Sequence, residues 1–214
     1  MEQQAQKAFG REKVHFYSKD ISCPETKGTV REKAMSREDF LKLRERMENS
    51  RSFAKDAIEI TARCGLRVDE VAHLKREHID LEHKTLFVSG EGAKNGRERT
   101  VPIRDQDLPH FRDLLNRHTS EGYLTTVKAD SINKAIRRYM QDTRDDKGCL
   151  LSEKYPKETQ HAIRKLYATE RMKEERGQEP LADKKEEMKH WDKVSHELGH
   201  GNGREDLYKT YCKG

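Results

Sequence analysis

The sequence has no long hydrophobic run and few cysteines. No segment approaches the roughly 18 apolar residues that a membrane-spanning helix needs, and the N-terminus lacks the hydrophobic region of a secretory signal. We therefore expect no membrane partner. The cysteines, at positions 23, 64, 149 and 212, are scattered and form no C-x-x-C pair. They predict reduced thiols in a cytoplasmic protein, and they argue against a disulfide framework or a thiolate metal site.

The chain is also poor in hydrophobic residues and rich in charge. Hydrophobic residues make up 32% of the 214 residues and charged residues 39%, which predicts a modest core surrounded by long solvated helix faces. The 44 basic and 39 acidic residues leave a net charge of +5. That excess is weak evidence for a polyanionic partner, so only a local concentration of Lys and Arg can decide the matter.

Two regions differ in their hydrophobic pattern. Residues 1–34 show little periodicity, and we interpret them as an N-terminal arm or linker that is disordered or ordered only on a partner. Residues 35–214 are predicted to form one domain. It begins with a helix, because Ser36 and Asp39 have the spacing of a capping box.

Further helices and one hairpin follow. Segment 53–65 has apolar residues at helical spacing and ends in a glycine, and segment 66–80 predicts a shorter helix. In segment 84–103 two short β-rich runs flank a Gly/Asn-rich connection, which predicts an antiparallel hairpin.

The second half of the chain is mainly helical. Segments 130–143 and 159–176 repeat apolar residues at helical spacing, whereas the highly charged segment 173–193 is interpreted as a solvated insertion. Together these patterns predict an α+β fold, a mostly helical domain with one small antiparallel β-sheet.

The segment "CGLRVDEVAHL" places Arg67 after a Gly-Leu turn at the start of a helix. A side chain in that position can point into a cleft, and a guanidinium can bind two phosphate oxygens at once. Glu70, one turn later, can orient it. An Arg–Glu pair on the surface has the same pattern, so this motif alone leaves both interpretations open.

Three more polar residues have functional and structural interpretations. In "HAIR", His161 and Arg164 project from one helix face. A proton-holding group beside a permanent cation suits phosphoryl chemistry, although such pairs are usually structural. Lys94 lies in the connection "GEGAKNGRER", where a lysine can reach a ligand or be merely solvated.

The order of these segments resembles the tyrosine recombinase (phage-type integrase) family over residues about 35 to 214. "TARCGLRVDEVAHLKREHID" is similar to its first arginine box and "GAKNGRERTVPI" to its hairpin lysine box. "QHAIRKLYAT" is similar to its H-x-x-R box and "ELGHGNGREDLYKTY" to its closing LGH…Tyr box. The family's N-terminal core-binding domain, which closes around the duplex, is not expected within the short arm.

The resemblance implies a site-specific DNA recombinase that cleaves and rejoins strands through a 3′-phosphotyrosyl intermediate, without metal, ATP or another cofactor. Arg67 and Arg164 would hold the scissile phosphate, and Lys94 would protonate the departing 5′ oxygen. His161 and His200 would assist proton transfer. In addition to the supporting Glu70, contacts to the DNA backbone are expected from Arg97, Arg99, Arg137 and Arg138.

The nucleophile is predicted to be Tyr211. The family places its tyrosine about nine residues after the LGH histidine, whereas Tyr208 follows His200 by eight residues and Tyr211 follows it by eleven. We prefer Tyr211 because "REDLYKTY" resembles the common R-x-D-(V/L)-x-x-x-Y ending, with "NG" at 202–203 as a turn insertion. Tyr208 stays the alternative nucleophile, and its structural interpretation is a packing residue.

The implied partners are double-stranded DNA, three further copies of the chain in a homotetramer on DNA, and accessory DNA-bending proteins, which would make the protein nucleoid-associated. Alternatives are a type IB topoisomerase and a DNA-binding module without catalysis. A minor alternative is a zinc metalloprotease, because His196, Glu197 and His200 spell H-E-x-x-H. The glycines that follow suit the end of a helix and argue against it, and we interpret His196 and Glu197 as surface residues.

Overall fold

The computed structural model describes residues 33–48, 50, 52–119, 121–157 and 159–212. The predicted arm therefore lies outside the described residues except for its last two positions. The domain boundary that we predict at residues 34 and 35 stays a prediction.

Helices dominate the described part of the chain. Their bounds are α1 Arg37–Glu48, α2 Ala54–Cys64, α3 Val68–Ala72, α4 Leu108–Arg117, α5 Ala129–Asp142, α6 Leu151–Lys154, α7 Gln160–Arg176, α8 Lys184–Glu197 and α9 Glu205–Cys212. Short 3-10 turns lie at Arg76–His78, Lys94–Gly96 and Asp105–Asp107. No helix of the described residues combines the length and apolar character that crossing a bilayer requires.

The first two helices follow their predicted signals. The Asp39 backbone N–H donates to the Ser36 hydroxyl at 3.1 Å, which satisfies one of the free amides at the start of α1. Helix α2 ends at Gly65, whose φ of 61° is left-handed and whose N–H donates to the Thr61 carbonyl. A Cβ at Gly65 would lie 2.3 Å from the Tyr167 ring, so this close approach of α2 to α7 requires glycine.

A small antiparallel sheet has the order β1–β2–β3, with β1 at Ile79–Asp80, β2 at Thr85–Val88 and β3 at Arg99–Pro102. Strands β2 and β3 form the predicted hairpin, in which Val88 pairs with Arg99. The helix predicted over residues 66–80 is shorter than expected. Only its α3 portion is α-helical, because the chain then turns and pairs Ile79 with Leu86 as a third strand.

Two hydrophobic clusters hold the domain together. The larger one surrounds α2 and includes the apolar stripe of α5, whose buried residues agree with the predicted periodicity: Ile132, Ala135, Ile136, Tyr139 and Met140. The smaller cluster joins α7, α8 and α9: Tyr167, Ala168, Met172, Trp191, Val194, Leu198, Tyr208 and Tyr211. The smaller cluster holds the last helix against α7.

The prediction of a solvated insertion over residues 173–193 is wrong for its second half. Helix α8 begins at Lys184, and its Trp191 is fully buried in the smaller cluster. The Trp191 indole N–H donates to the Arg204 carbonyl at 2.9 Å. The charged residues of this segment face solvent on one side of α8, while Trp191 and Val194 pack against the core on the other side.

Candidate active site

A cavity of about 430 Å³ lies where α3, the β2–β3 loop, α7 and the loop between α8 and α9 meet. Among the described residues its lining is strongly basic and includes no carboxylate. The lining residues are Arg67, Lys94, Asn95, Arg97, His161, Gly199, His200, Arg204, Leu207, Thr210 and Tyr211. Five of the six predicted catalytic residues thus line one cavity, and the sixth, Arg164, is buried beside it.

Glu70 orients Arg67 at the edge of this cavity. Its carboxylate accepts the Arg67 backbone N–H at 2.7 Å and the Arg67 guanidinium at 2.9 Å. Because Arg67 immediately precedes α3 and has extended backbone angles, its side chain leaves the helix axis and reaches the cavity. Burial raises the pKa of Glu70, but hydrogen bonds and charges from Arg99 and Arg164 outweigh burial and hold it at about 2.

Arg99 does not have the position that a DNA backbone contact requires. It is 7% exposed, and both of its terminal nitrogens donate to the Glu70 carboxylate at 2.8 Å. Its Nε donates to the Glu197 carbonyl at 2.6 Å. We therefore correct the prediction, because Arg99 is used internally to hold Glu70 and the end of α8. A bidentate, buried pair of this kind fixes the carboxylate that orients Arg67.

The loop after α8 approaches these arginines closely. Gly199 has a φ of 71°, and a Cβ there would lie 2.9 Å from Arg99 Nη1 and 3.3 Å from Arg67 Nη1. Glycine therefore lets the backbone pass over both guanidinium groups and turn towards His200. This contact gives a physical reason for the glycine of the Leu-Gly-His triplet.

Arg164 on α7 lies beneath the cavity and is 1% exposed. Its guanidinium donates to the carbonyls of Gly65 and Leu198, to His200 Nε2 at 3.0 Å, and through Nε to the Tyr211 hydroxyl at 3.4 Å. Burial lowers the pKa of Arg164, which stays far above neutral because arginine is effectively always protonated. A fixed, desolvated cation therefore faces the tyrosine hydroxyl.

His200 is neutral in this arrangement. Burial and the charges of Arg164 and Arg67 lower its pKa to about 3. Because a guanidinium can only donate, His200 Nε2 accepts from Arg164, which assigns the ring proton to Nδ1. The Tyr211 hydroxyl lies 3.4 Å from the same Nε2, so Arg164 and Tyr211 share the one lone pair of this nitrogen.

Tyr211 and Tyr208 are on the same helix but have different surroundings. The Tyr211 ring meets the rings of His161 and His200 edge-on, each with a centroid distance of 5.4 Å. The Tyr208 hydroxyl donates to the Glu187 carboxylate, away from the cavity. Burial and the Glu187 hydrogen bond raise the pKa of Tyr208. Tyr208 is thus placed as a packing residue.

Lys94 and Arg97 are exposed on the β2–β3 loop, and both line the cavity. Asn95 and Gly96, with φ of 62° and 65°, turn the loop tip between them. The other predicted DNA contacts, Arg137 and Arg138, are exposed on α5 and are not among the residues that line the cavity.

The H-E-x-x-H segment does not form a zinc site. Helix α8 ends at Glu197, so His196 and His200 do not project from one helix face. Glu197 is not a surface residue as predicted, since it accepts hydrogen bonds from Tyr167 at 2.7 Å and from Arg171. No group of three metal-binding side chains is present among the described residues.

Five of the residues that line the cavity were not predicted as site residues, namely Asn95, Gly199, Arg204, Leu207 and Thr210. Arg204 lines the cavity and forms an ion pair with Asp206 at 2.7 Å. Gly199 was noticed only as part of the Leu-Gly-His triplet. For Arg204 the sequence did contain a signal, namely a cation that directly precedes the helix carrying the predicted nucleophile.

The comparison with protein families agrees with the resemblance. The chain matches the model of the phage integrase family over residues 33–183. The chain belongs to the phage integrase family. The matched segment includes Arg67, Lys94, His161 and Arg164, while His200 and Tyr211 lie beyond it.

Individual relatives of this phage integrase family member are distant. The tyrosine recombinase XerA of Pyrococcus furiosus is 29% identical over 102 residues, which cover 48% of this chain and 35% of XerA. A putative tyrosine recombinase XerC of Pseudomonas syringae is 28% identical over 78 residues, 36% of this chain and 16% of that protein. The chain therefore matches well under half the length of these curated relatives.

Solved structures support the fold class. The lambda integrase catalytic core has a TM-score of 0.56 and 17% identity, covering 79% of this chain and 96% of that core. The Tn1549 transposon integrase in complex with a circular intermediate DNA has a TM-score of 0.59 and 15% identity, covering 85% of this chain and 61% of that one. The predicted α+β, mostly helical tyrosine-recombinase-like fold is confirmed.

Proposed function

We propose that this protein is a site-specific DNA recombinase or integrase that cuts one strand, holds its 3′ end on Tyr211 and rejoins it to a partner strand. The observation that carries the proposal is the contact of one tyrosine hydroxyl with both Arg164 and His200, beside a basic cavity whose described lining residues include no carboxylate. Such a cavity suits a phosphodiester, which carries one negative charge.

The arginines would bind the scissile phosphate. Arg67 is half-buried and reaches the cavity, so its guanidinium can donate to a non-bridging oxygen while Glu70 holds it in place. Arg164 would stabilise the charge that develops on the phosphorus oxygens, with no reorganisation during the step. Fixed cations would thereby take the role that a metal ion has in other phosphoryl-transfer enzymes.

The transfer step has a balanced proton path. Tyr211 Oη attacks phosphorus, and the phosphorus–5′ oxygen bond breaks. The tyrosine proton passes to His200, whose pKa rises once the bound phosphate offsets the charges of Arg67 and Arg164. Lys94 gives a proton to the departing 5′ oxygen, while His161 lies edge-on to Tyr211 and helps to hold the phosphate. The 3′-phosphotyrosyl bond keeps the energy of the cut bond, so rejoining needs no nucleotide cofactor.

Double-stranded DNA is the proposed partner. The Tn1549 integrase was solved with DNA, which supports the same class of ligand here. Exposed Arg97, Arg137 and Arg138 supply cations for backbone phosphates, and binding is expected to weaken as salt rises. A homotetramer on DNA and accessory DNA-bending proteins remain proposals that follow from family membership.

Covalent trapping tests this function. When a duplex has a nick close to the cut site, cleavage releases the short piece between the cut and the nick, which carries the new 5′ hydroxyl. Without that hydroxyl the strand is not rejoined, so the protein stays attached to the 3′ end. Trypsin then separates the two tyrosines, because cleavage after Arg204, Lys209 and Lys213 puts Tyr208 in peptide 205–209 and Tyr211 in peptide 210–213. We expect the nucleotide on peptide 210–213, with no loss of adduct in a metal chelator.

The alternatives predict different results. A DNA-binding module forms no adduct on any duplex tested, and a nucleotide on peptide 205–209 would make Tyr208 the nucleophile. A type IB topoisomerase forms the adduct but relaxes supercoiled DNA without joining two duplexes. Joining of a labelled duplex to an unlabelled partner separates that activity from recombination.

A further inference from the structure

The β2–β3 loop is attached to the rest of the domain at one place that the proposed reaction does not use. The Tyr123 hydroxyl donates to Glu91 Oε1 at 2.7 Å, and Lys75 Nζ lies 3.8 Å from Glu91 Oε2. The Lys75 ammonium also lies over the Tyr123 ring, 5.6 Å from its centroid. We call Glu91, Tyr123 and Lys75 the loop anchor.

The partners of Glu91 are themselves fixed in the domain. Lys75 and Tyr123 form an antiparallel bridge, and the Leu124 N–H donates to the Leu74 carbonyl at 2.8 Å. The His73 ring meets the Tyr123 ring edge-on at 6.0 Å. Although Tyr123 is 47% exposed, its backbone and ring are therefore positioned by segment 73–76.

The loop backbone also contacts α3 next to the anchor. A Cβ at Gly92 would lie 2.5 Å from the Asp69 carbonyl oxygen and 3.0 Å from the Glu70 Cα. The loop thus passes directly over the first turn of α3, which positions Arg67. Beyond this point Lys94 is exposed, and no hydrogen bond or ion pair holds its side chain within the described residues.

We infer that Glu91 and Tyr123 are positioning residues that place Lys94 over the scissile phosphate by anchoring the loop three residues before it. This inference deepens the proposed function and rests on it. Lys94 is the group proposed to protonate the 5′ oxygen, and a proton donor must lie within hydrogen-bond reach of its acceptor. A loop free at Glu91 would spread Lys94 over many positions and reduce the fraction that can react.

The test removes one hydroxyl group. Tyr123→Phe deletes the donor to Glu91 and keeps the aromatic ring, and Thr126→Ala, at an exposed position nearby, is the matched control. Because this hydrogen bond restricts the loop just before Lys94, we expect single-turnover cleavage to slow about fivefold in Tyr123→Phe. Glu91→Ala should slow it similarly, and the double variant should be no slower than Glu91→Ala alone.

A modified substrate separates positioning from general damage. When sulfur replaces the 5′ bridging oxygen, the leaving group is a thiolate, which needs little protonation because a thiol has a pKa of about 8.5. We expect the variants to cleave this substrate at the wild-type rate and to bind DNA with unchanged affinity. Equal losses on both substrates, or no loss on either, would overturn the inference.

Proteolysis tests the anchor without DNA. Trypsin should cut after Lys94 or Arg97 about fivefold faster in Tyr123→Phe, while cutting after the exposed Lys147 stays constant as an internal control. If the wild type forms no adduct with either substrate, the proposed function fails. The proteolysis result then still decides whether the anchor holds the loop.

Discussion

Tyr208 and Tyr211 lie three residues apart on α9, yet their hydroxyl groups meet opposite charges. The Tyr211 hydroxyl contacts the Arg164 cation and the neutral His200 imidazole, whereas the Tyr208 hydroxyl donates to the Glu187 carboxylate. A cation stabilises a phenolate and a carboxylate destabilises it. Residues three apart on a helix lie close together on its surface, so helix geometry alone does not distinguish the two tyrosines. The partners of their hydroxyl groups do distinguish them, and they favour Tyr211 as the proposed nucleophile.

Each tyrosine also has its own arginine on α7. Arg164 faces Tyr211 from the beginning of the second turn of the helix, and Arg176 at its end lies 3.0 Å from Glu187, the partner of Tyr208. Arg176 is therefore neutralised by the carboxylate that Tyr208 contacts, while the hydroxyl of Tyr211 faces its cation directly. The chain thus contains two Arg–Tyr neighbourhoods, one structural and one that we propose to be reactive.

The largest difference between the two tyrosines should appear when each hydroxyl group is removed in a separate variant. Tyr211→Phe is expected to abolish the covalent adduct, because phenylalanine has no nucleophilic oxygen. Tyr208→Phe should cleave within about threefold of wild type but lose about 1–3 kcal/mol of unfolding free energy, since a buried carboxylate loses its donor. Adduct yield and urea denaturation measure the two outcomes, and adduct loss in Tyr208→Phe would reverse the assignment.

The second-largest effect is expected when each of the two arginines is exchanged for lysine. Arg164→Lys keeps the charge but cannot reach Leu198, His200 and the phosphate together, so we expect single-turnover cleavage to fall about 100-fold. Arg176→Lys is the matched control and should change only stability. If both variants cleave equally well, Arg164 does not stabilise the transition state.

Local patterns predicted helices α1, α2, α5 and α7 and the hairpin. The stripe of α5 and the closing Gly65 were readable because each is decided by neighbouring residues. Strand β1 was not readable, since Ile79 and Asp80 become a strand only by pairing with β2. The part of helix α8 up to residue 193 was missed because its charged face concealed the spacing of Trp191 and Val194.

The sequence motifs predicted which residues belong to the candidate site, but they did not predict which of these residues are buried. Arg97 and Arg99 look alike in the sequence, and the structure exposes the first and buries the second. A signal did exist, because Val101 faces the core and side chains alternate along a strand, which places Arg99 on the same face. Glu197 likewise lies beside Leu198 and one turn after Val194, on the buried side of α8.

A further comparison concerns the proton on His200, the imidazole that contacts Tyr211 but not Tyr208. With a pKa of about 3, against about 6.5 unfolded, folded His200 binds fewer protons than unfolded His200 between these two values. Its contribution to stability is therefore present above about pH 6.5 and is lost as the pH falls towards 3, by at most about 1.4 kcal/mol per pH unit. His200→Gln should remove the His200 part of this slope in urea denaturation and leave the part that comes from His110, whose pKa is about 4.

Binding of DNA should change the pKa of His200 but not the pKa of a buried histidine outside the cavity. A phosphate beside Arg67 and Arg164 offsets the two charges that lower the His200 pKa, so that pKa should rise when a duplex binds. His110 is the matched control, because burial and the charge of Arg63 lower its pKa to about 4 and it is not among the residues lining the cavity. Histidine NMR titrations with and without a duplex measure both. A shift of His110 alone, or of neither, would mean that the phosphate does not bind between the arginines that face Tyr211.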